Sequence, residues 1–104
     1  RVIDSSFFPD GAKALTKELI IREGCQLDYQ RHMNRGEVWT VISGTGEVVV
    51  DGLVQQVRAG SVVQIPATTP HSARALCGDL HVIEVQHGET LVKEDIERLG
   101  AFWN

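Results

Sequence analysis

Four side chains with nitrogen or oxygen donors stand at spacings that could bring them to one metal ion. They are an amide, two imidazoles and a carboxylate, namely Gln30, His32, Glu37 and His71. The set contains no thiolate, and such mixed donors suit Zn, Mn, Fe, Ni or Co. A set of this size leaves coordination positions open for water or substrate. The sequence therefore predicts a single divalent metal in a pocket, with its identity left open.

Strand geometry explains how these donors could meet. Gln30 and His32 lie two residues apart, so a β-strand places both on one face. Glu37 begins the next strand after a short loop, and an antiparallel return can bring it opposite His32. His71 arrives from a separate strand, after a proline-containing loop. Taken singly, each residue has a simpler explanation, because a lone His or Glu usually belongs to the surface or to the core.

Short apolar runs separated by glycine-containing turns predict an antiparallel β-protein. Residues 37–50 are rich in Val, Ile, Trp and Thr, with a bend or bulge at residues 44–46. Asp51-Gly52 is a two-residue hairpin signal. Further strands are predicted at residues 19–21, 27–32, 53–57, 61–65, 71–76 and 80–85. About eight to ten short strands favour an all-β fold, a small antiparallel β-barrel or jelly roll, over βαβ units.

The C-terminal end carries a helical signal. Thr90 could cap a short helix in which Leu91, Val92, Ile96 and Leu99 recur at roughly helical intervals. The sequence therefore predicts a short C-terminal helix packed on the outside of the barrel.

The N-terminal end carries an aromatic pair. Phe7 and Phe8 precede Pro9-Asp10-Gly11, which is a turn signal. The aromatic side chains need burial, either against the barrel or against a second subunit. Pairing between subunits would also cover the edge strands of a short barrel. We therefore expect a homodimer.

Composition bounds the class of protein. The chain has 104 residues, a net charge of −4 and 42% hydrophobic residues, which fits a single domain over residues 1–104. No cluster of Lys or Arg suggests nucleic acid, and no apolar run approaches the ~20 residues of a membrane helix. Cys25 and Cys77 are few for a secreted disulfide scaffold, so we expect reduced, packed thiols in a cytoplasmic protein.

The spacing of the first donors resembles the first motif of the cupin superfamily, G-x5-H-x-H-x(3,4)-E-x6-G. This chain has Gly24-x5-Gln30-x-His32-x4-Glu37-x6-Gly44. Glutamine takes the place of the first His, and the other motif positions are matched.

A second motif of the same superfamily, G-x5-P-x-G-x2-H-x3-N, is matched at Gly60, Pro66 and His71. Thr68 stands where Gly is usual, and Ala75 stands where Asn is usual. That Asn is not a metal ligand in cupins, so its loss leaves the implied metal site intact.

Within the cupins, the sequence is similar to the isomerase domain at the C-terminus of bifunctional mannose-6-phosphate isomerase/mannose-1-phosphate guanylyltransferases. Residues 30–45 follow the Q-x-H…R-A-E-x-W-x-V-x-S-G-T run of that branch, and the similarity extends over roughly residues 23–98. Glutamine at the first ligand position is itself a mark of the branch. The resemblance implies a cupin barrel with one divalent metal that interconverts mannose 6-phosphate and fructose 6-phosphate.

That reaction implies further roles. A proton must leave C2 and return to C1, so a base must reach both carbons. Glu84 is the candidate if its side chain faces inward; otherwise it faces solvent or balances an Arg. Arg35, which matches the family's Arg, is the first candidate to bind the phosphate, and Arg74 is the second. Arg35 could instead be a loop residue paired with a carboxylate. Trp39 either stacks on the sugar or belongs to the core.

A second hypothesis is a non-catalytic cupin that binds a metal or a small molecule as a sensor or accessory protein, because a fold does not fix a function. Other metal-dependent cupin chemistry, such as dioxygenase or epimerase reactions, is a third. A dioxygenase should bind Fe(II) and consume oxygen, whereas an isomerase needs neither. His81 and His87 match no ligand position and are predicted to lie at the surface.

Overall fold

The computed structural model describes residues 2–8 and 11–104, so the turn signal at Pro9 and Asp10 lies outside the described residues. Eight strands and no helix occur in this part of the chain. The strands are β1 (Val2–Phe7), β2 (Lys13–Ile21), β3 (Gln30–Arg31), β4 (Gly36–Val50), β5 (Leu53–Arg58), β6 (Val62–Ile65), β7 (His71–Gly88) and β8 (Glu97–Arg98). No described helix could therefore cross a membrane.

Two long strands, β4 and β7, form the frame of the sheet. β4 pairs with β5, β6 and β7, and β7 also pairs with β2 and β3. β1 adds to β2, and β8 adds to β3. Every one of these pairings is antiparallel. The predicted all-β antiparallel architecture is confirmed.

Both frame strands bend where the sequence suggested that they would break. β4 shifts register several times between Val41 and Gly46. Gly44 has a φ of +86°, and a Cβ there would overlap the carbonyl oxygen of Asp79. The bend of β4 therefore rests directly on the bend of β7, which continues through Cys77 as one strand. The predicted hairpin at residues 51–52 is confirmed, with positive φ at both positions.

The inward faces of the frame strands change character along their length. On β7 the inward residues are apolar at Leu80 and Val82 and become polar at Glu84. On β4 the same change runs from Val41 to Glu37. The apolar core consists of Ile21, Trp39, Val41, Val48, Val57, Val63, Ile65, Ala73, Ala75, Leu80 and Val82. One end of the interior is thus filled by apolar side chains, and the other end presents buried polar groups.

The C-terminal segment is not a helix, so that prediction is wrong. It runs extended, and β8 pairs with β3. Beyond the paired residues, the Leu99 N–H donates to the Tyr29 carbonyl at 2.7 Å, and the Tyr29 N–H donates to the Gly100 carbonyl at 2.8 Å. These bonds to an otherwise short strand outweigh the weak helical spacing of the apolar residues.

Both cysteines are more exposed than predicted. Cys25 and Cys77 are free thiols, as expected, but both are exposed rather than packed, because one follows a turn and the other lies at the bend of β7. Phe8 is 51% exposed in the single chain. The homodimer and the cytoplasmic location stay predictions.

Candidate metal centre

Donor atoms of His32, Glu37 and His71 converge at the polar end of the barrel. One ligand atom from each lies within 4.8 Å of the others, and all three residues are buried. His32 Nε2 is 3.3 Å from Glu37 Oε2, and His71 Nε2 is 3.6 Å from Glu37 Oε1. The sequence motifs therefore predicted three residues that the fold does bring together.

Backbone carbonyls orient both imidazoles. His32 Nδ1 donates to the Asp95 carbonyl at 2.7 Å, and His71 Nδ1 donates to the Thr69 carbonyl at 2.9 Å. Because a carbonyl can only accept, each Nδ1 carries the hydrogen and each Nε2 presents a lone pair. Among the described residues, none hydrogen-bonds to the buried His71 Nε2. Metal-binding His residues usually have this outer hydrogen bond, so the cluster fits a divalent metal.

Burial keeps the imidazoles neutral. It lowers the pKa of His71 to about 4, against a weaker opposing effect of its hydrogen bond to Thr69. Burial likewise lowers the pKa of His32 below its ordinary value. Neutral imidazole is the form that ligates metals, so protons do not compete strongly for these atoms near neutral pH.

Arg35 lies inside the cluster. Its Nε donates to Glu37 Oε2 at 2.9 Å, and its Nη2 donates to His32 Nε2 at 3.1 Å. The side chain is only 9% exposed. The carboxylate pairing that was one alternative for Arg35 is therefore present, and the carboxylate belongs to a candidate metal ligand. A phosphate contact by Arg35 stays a prediction.

We expect Arg35→Leu to bind divalent metal more tightly than the wild-type protein. The guanidinium uses the His32 Nε2 lone pair, which cannot serve a metal at the same time, and it places a like charge beside any bound cation. Removing a charge-assisted hydrogen bond that competes with the metal should raise affinity by about tenfold. Isothermal titration with Zn²⁺ or Mn²⁺ measures the change, and Arg74→Leu is the matched control. Equal or weaker metal affinity in folded Arg35→Leu would contradict this competition.

The Trp39 indole links Glu84 to Glu37, one of the candidate metal ligands. Trp39 Nε1 donates to Glu37 Oε1 at 2.9 Å and to Glu84 Oε1 at 3.0 Å. Glu84 Oε2 accepts from Gln86 Nε2 at 3.1 Å. Glu84 is 5% exposed and faces inward, which was the condition for its candidacy as a base. Trp39 is 1% exposed, so it belongs to the core and leaves almost no ring surface for a sugar.

The Glu84 carboxyl is poised to gain or lose a proton near neutrality. Burial, and then the neighbouring Glu37 carboxylate, raise the pKa of Glu84 to about 7. The hydrogen bonds from Gln86 and Trp39 oppose this shift. A carboxyl with such a pKa can act as both base and acid in one reaction.

We expect the metal-free protein to be most stable between about pH 4.5 and 6.5. Glu84 has a pKa raised from 4.5 to about 7 in the folded state, so its contribution to the free energy of unfolding falls as the pH rises from 4.5 to about 7. His71 has a pKa lowered from 6.5 to about 4, so its contribution to the free energy of unfolding falls as the pH drops from 6.5 to about 4. The two contributions oppose each other between pH 4.5 and 6.5, so the maximum is flat and lies less than about 1 kcal/mol above the values at pH 4 and pH 8. Urea denaturation from pH 4 to pH 8 measures the curve. A free energy of unfolding that rises steadily to pH 8 would contradict it.

A cavity of about 310 Å³ opens beside the cluster. Five of the residues predicted from the sequence line it, namely Gln30, His32, Arg35, Trp39 and Glu84. Gln30 also lies opposite His71 in the pairing of β3 with β7. The role of Gln30 as a fourth ligand stays a prediction.

The structure does not bring Arg74 to this cavity. Its spacing of three from His71 reverses the strand face, so Ala73 points into the core and Arg74 points out. Arg74 Nε donates to Glu47 Oε1 at 2.8 Å, and its guanidinium lies over the Trp103 ring at 5.0 Å. The outward face explains why this candidate is separated from the others.

Sequence reasoning missed Asp95. Its carbonyl holds His32, and its carboxylate accepts from the Met33 and Asn34 N–H groups at 2.8 and 2.9 Å. The C-terminal segment therefore fixes both the loop before β4 and the ring of one metal ligand. The resemblance extended over this segment, but a helix was predicted there, so no contact of Asp95 with the loop before β4 was expected.

Three cations that line the cavity were also missed: Lys17, Lys93 and Arg98. Lys17 carried a usable signal, because it shares strand parity with Leu19 and Ile21, which are apolar and face the interior. Lys93 and Arg98 reach the cavity only through the pairing of β8 with β3, which the sequence did not reveal.

Solved structures define the class of protein. A cupin protein from Bacteroides fragilis matches with a TM-score of 0.63 and 18% sequence identity, over 80% of this chain and 70% of that one. Identity at this level establishes the fold alone. The chain therefore has the cupin fold, with the buried His–Glu–His cluster inside it.

Sequence comparison gives the family. The family described as Mannose-6-phosphate isomerase C-terminal matches residues 6–101. Alginate biosynthesis protein AlgA from Pseudomonas putida is 36% identical over 89 residues, which cover 85% of this chain and 18% of that protein. Mannose-1-phosphate guanylyltransferase from Salmonella muenchen is 30% identical over 95 residues, which cover 90% and 20%. The chain belongs to the mannose-6-phosphate isomerase C-terminal family, and it spans about a fifth of the length of these relatives.

Proposed function

We propose that this cupin interconverts mannose 6-phosphate and fructose 6-phosphate. The observation that carries the proposal is the position of Glu84. Its buried carboxyl is linked through the Trp39 indole to Glu37, a candidate metal ligand. The family description supports a phosphorylated mannose as the sugar.

The metal would be held by His32, Glu37 and His71, with Gln30 as a further ligand. When bound, a divalent ion would polarise the sugar carbonyl and stabilise negative charge on the adjacent oxygens. Imidazole, carboxylate and amide donors accept Zn, Mn, Fe, Ni or Co, so these ions are all candidates.

Glu84 supplies the proton transfer. In the aldose-to-ketose direction its carboxylate removes the proton from C2, and the resulting carboxylic acid delivers a proton to C1, while the hydroxyl proton of O2 passes to O1. The hydrogen bonds from Trp39 and Gln86 fix the carboxyl so that one group can serve both carbons.

Arg35 and Trp39 take supporting roles. Arg35 lines the cavity beside Glu37, so its guanidinium is placed to meet substrate oxygens near the metal ligands. Trp39 holds the Glu84 carboxyl and does not stack on the sugar, since its ring is enclosed.

A coupled assay of mannose 6-phosphate conversion to fructose 6-phosphate tests the proposal. The protein is first stripped with a chelator and then reloaded with each candidate metal in turn. We expect turnover that depends on the added metal and consumes no oxygen. Absence of turnover with every metal, on protein shown to be folded and loaded, would contradict it.

A non-catalytic cupin that binds a metal or a small molecule is the second candidate. The observation in its favour is Arg35, which already contacts two of the three metal-type donors. Saturable binding of fructose 6-phosphate with no conversion by the loaded protein would favour this alternative.

A further inference from the structure

The cavity beside the metal-type cluster has a cationic side that the proposed chemistry does not use. Lys17 comes from β2, Lys93 from the turn before β8, and Arg98 from β8 itself. Three separate segments thus bring positive charge to the same cavity that His32 and Glu84 line.

Lys17 is the unusual member of this set. It shares the inward face of β2 with Leu19 and Ile21, and it lies directly opposite Glu84 in the pairing with β7. Its side chain is half-buried. A lysine on an inward face loses hydration, and this cost is recovered when the ammonium meets an anion. The position beside a cavity suggests that the anion enters with a ligand.

Charge changes across the cavity. Glu84 and the metal-type ligands form the buried side, whereas Lys93 is exposed and Arg98 is 65% exposed. Arg98 Nε contacts Asp28 at 3.1 Å, which leaves the other guanidinium donors for a ligand. The cavity therefore runs from a buried acid–base group to a basic rim.

The two ends of a hexose 6-phosphate match the two ends of this cavity. In a hexose 6-phosphate the phosphoryl group lies at the opposite end from C1 and C2. When C1 and C2 lie at Glu84, the phosphoryl group must therefore extend away from the metal ligands. Arg35 is hydrogen-bonded directly to Glu37 and His32, so two of its donors are already engaged at the reacting end, and the far end of the sugar needs further cations.

We propose that Lys17, Lys93 and Arg98 form the phosphate subsite, and that they select a phosphorylated sugar over its neutral counterpart. The identity of the sugar rests on the proposed function, whereas the anion site does not. Lys17 acts as the inner anchor, because its side chain is half-buried whereas Lys93 and Arg98 are exposed. Lys93 and Arg98 contact the phosphate from the rim of the cavity.

Titration calorimetry on the metal-loaded full chain tests this subsite, with fructose 6-phosphate, inorganic phosphate and neutral fructose as probes. We expect Lys17→Gln to weaken fructose 6-phosphate binding by about 10- to 100-fold, the effect of losing one charged hydrogen bond. Lys93→Gln should act in the same direction. Metal affinity and fructose binding should stay at wild-type values. Lys13→Gln is the matched control, because Lys13 lies on the same strand but does not line this cavity.

The outcomes separate this subsite from the proposed isomerase activity. Unchanged affinity of Lys17→Gln and Lys93→Gln for fructose 6-phosphate would overturn the subsite, even if the wild-type protein turns over mannose 6-phosphate. Loss of phosphate and fructose 6-phosphate binding in these variants would support it, even if the wild-type protein shows no turnover.

Discussion

Replacing His71 with alanine is expected to abolish divalent-metal binding in a chain that still folds. His71 Nε2 is buried, lacks a hydrogen-bond partner among the described residues and lies 3.6 Å from Glu37 Oε1. Loss of an outer partner of a metal ligand costs about 10–100-fold in affinity, and loss of the ligand itself should exceed this. Calorimetric titration with Zn²⁺ and Mn²⁺ measures the affinity, and the coupled assay should show no metal-dependent turnover.

His87→Ala is the matched control for this experiment. His87 is exposed and lies outside the metal-type cluster, so metal affinity should stay at the wild-type value. Circular dichroism should show a β-fold for both variants. Wild-type metal affinity in folded His71→Ala would place the metal elsewhere and contradict the assigned centre.

Glu84→Gln is expected to remove isomerase turnover while it leaves the metal in place. The amide keeps the size of the side chain but cannot take up and return a proton. Loss of a general acid–base typically lowers the rate by about 10²–10⁴-fold. Metal affinity should change little, because Glu84 is not among the converging donors. The coupled assay gives kcat, and calorimetry gives the metal affinity of the same preparation.

Glu47→Gln controls for the charge change at Glu84. Glu47 pairs with Arg74 away from the cavity, so its loss should leave kcat unchanged. A Glu84→Gln variant with kcat close to that of the wild-type protein would exclude Glu84 as the proton-transfer group.

Local strand parity explains what the sequence could predict. Glu37 and Trp39 lie two residues apart on β4 and are both buried, as strand parity requires, and the motif spacings correctly grouped His32 with His71. The same rule applied to Arg74 indicates an outward residue, since three positions separate it from His71. Predictions that depended on one strand at a time were therefore the most secure.

Long-range pairing explains what the sequence could not predict. The apolar residues of the C-terminal segment fit a helix weakly, and only the partner strand β3 shows that the segment is extended. Asp95 and Lys93 reach the site through that pairing. Arg35 hydrogen-bonds to Glu37 and His32 through the way its side chain packs in the folded protein. The motif gives only the position of Arg35 along the chain, so it could not predict these contacts.

Proton exchange with solvent tests the central claim most directly. Metal-loaded protein is incubated with fructose 6-phosphate in D₂O, and the sugars are examined by proton NMR. Proton transfer through the Glu84 carboxyl predicts deuterium at C2 of mannose 6-phosphate and at C1 of fructose 6-phosphate, and no label with Glu84→Gln. Conversion without any label by both the wild-type protein and Glu84→Gln would indicate direct hydride transfer between the carbons and would contradict the role assigned to Glu84.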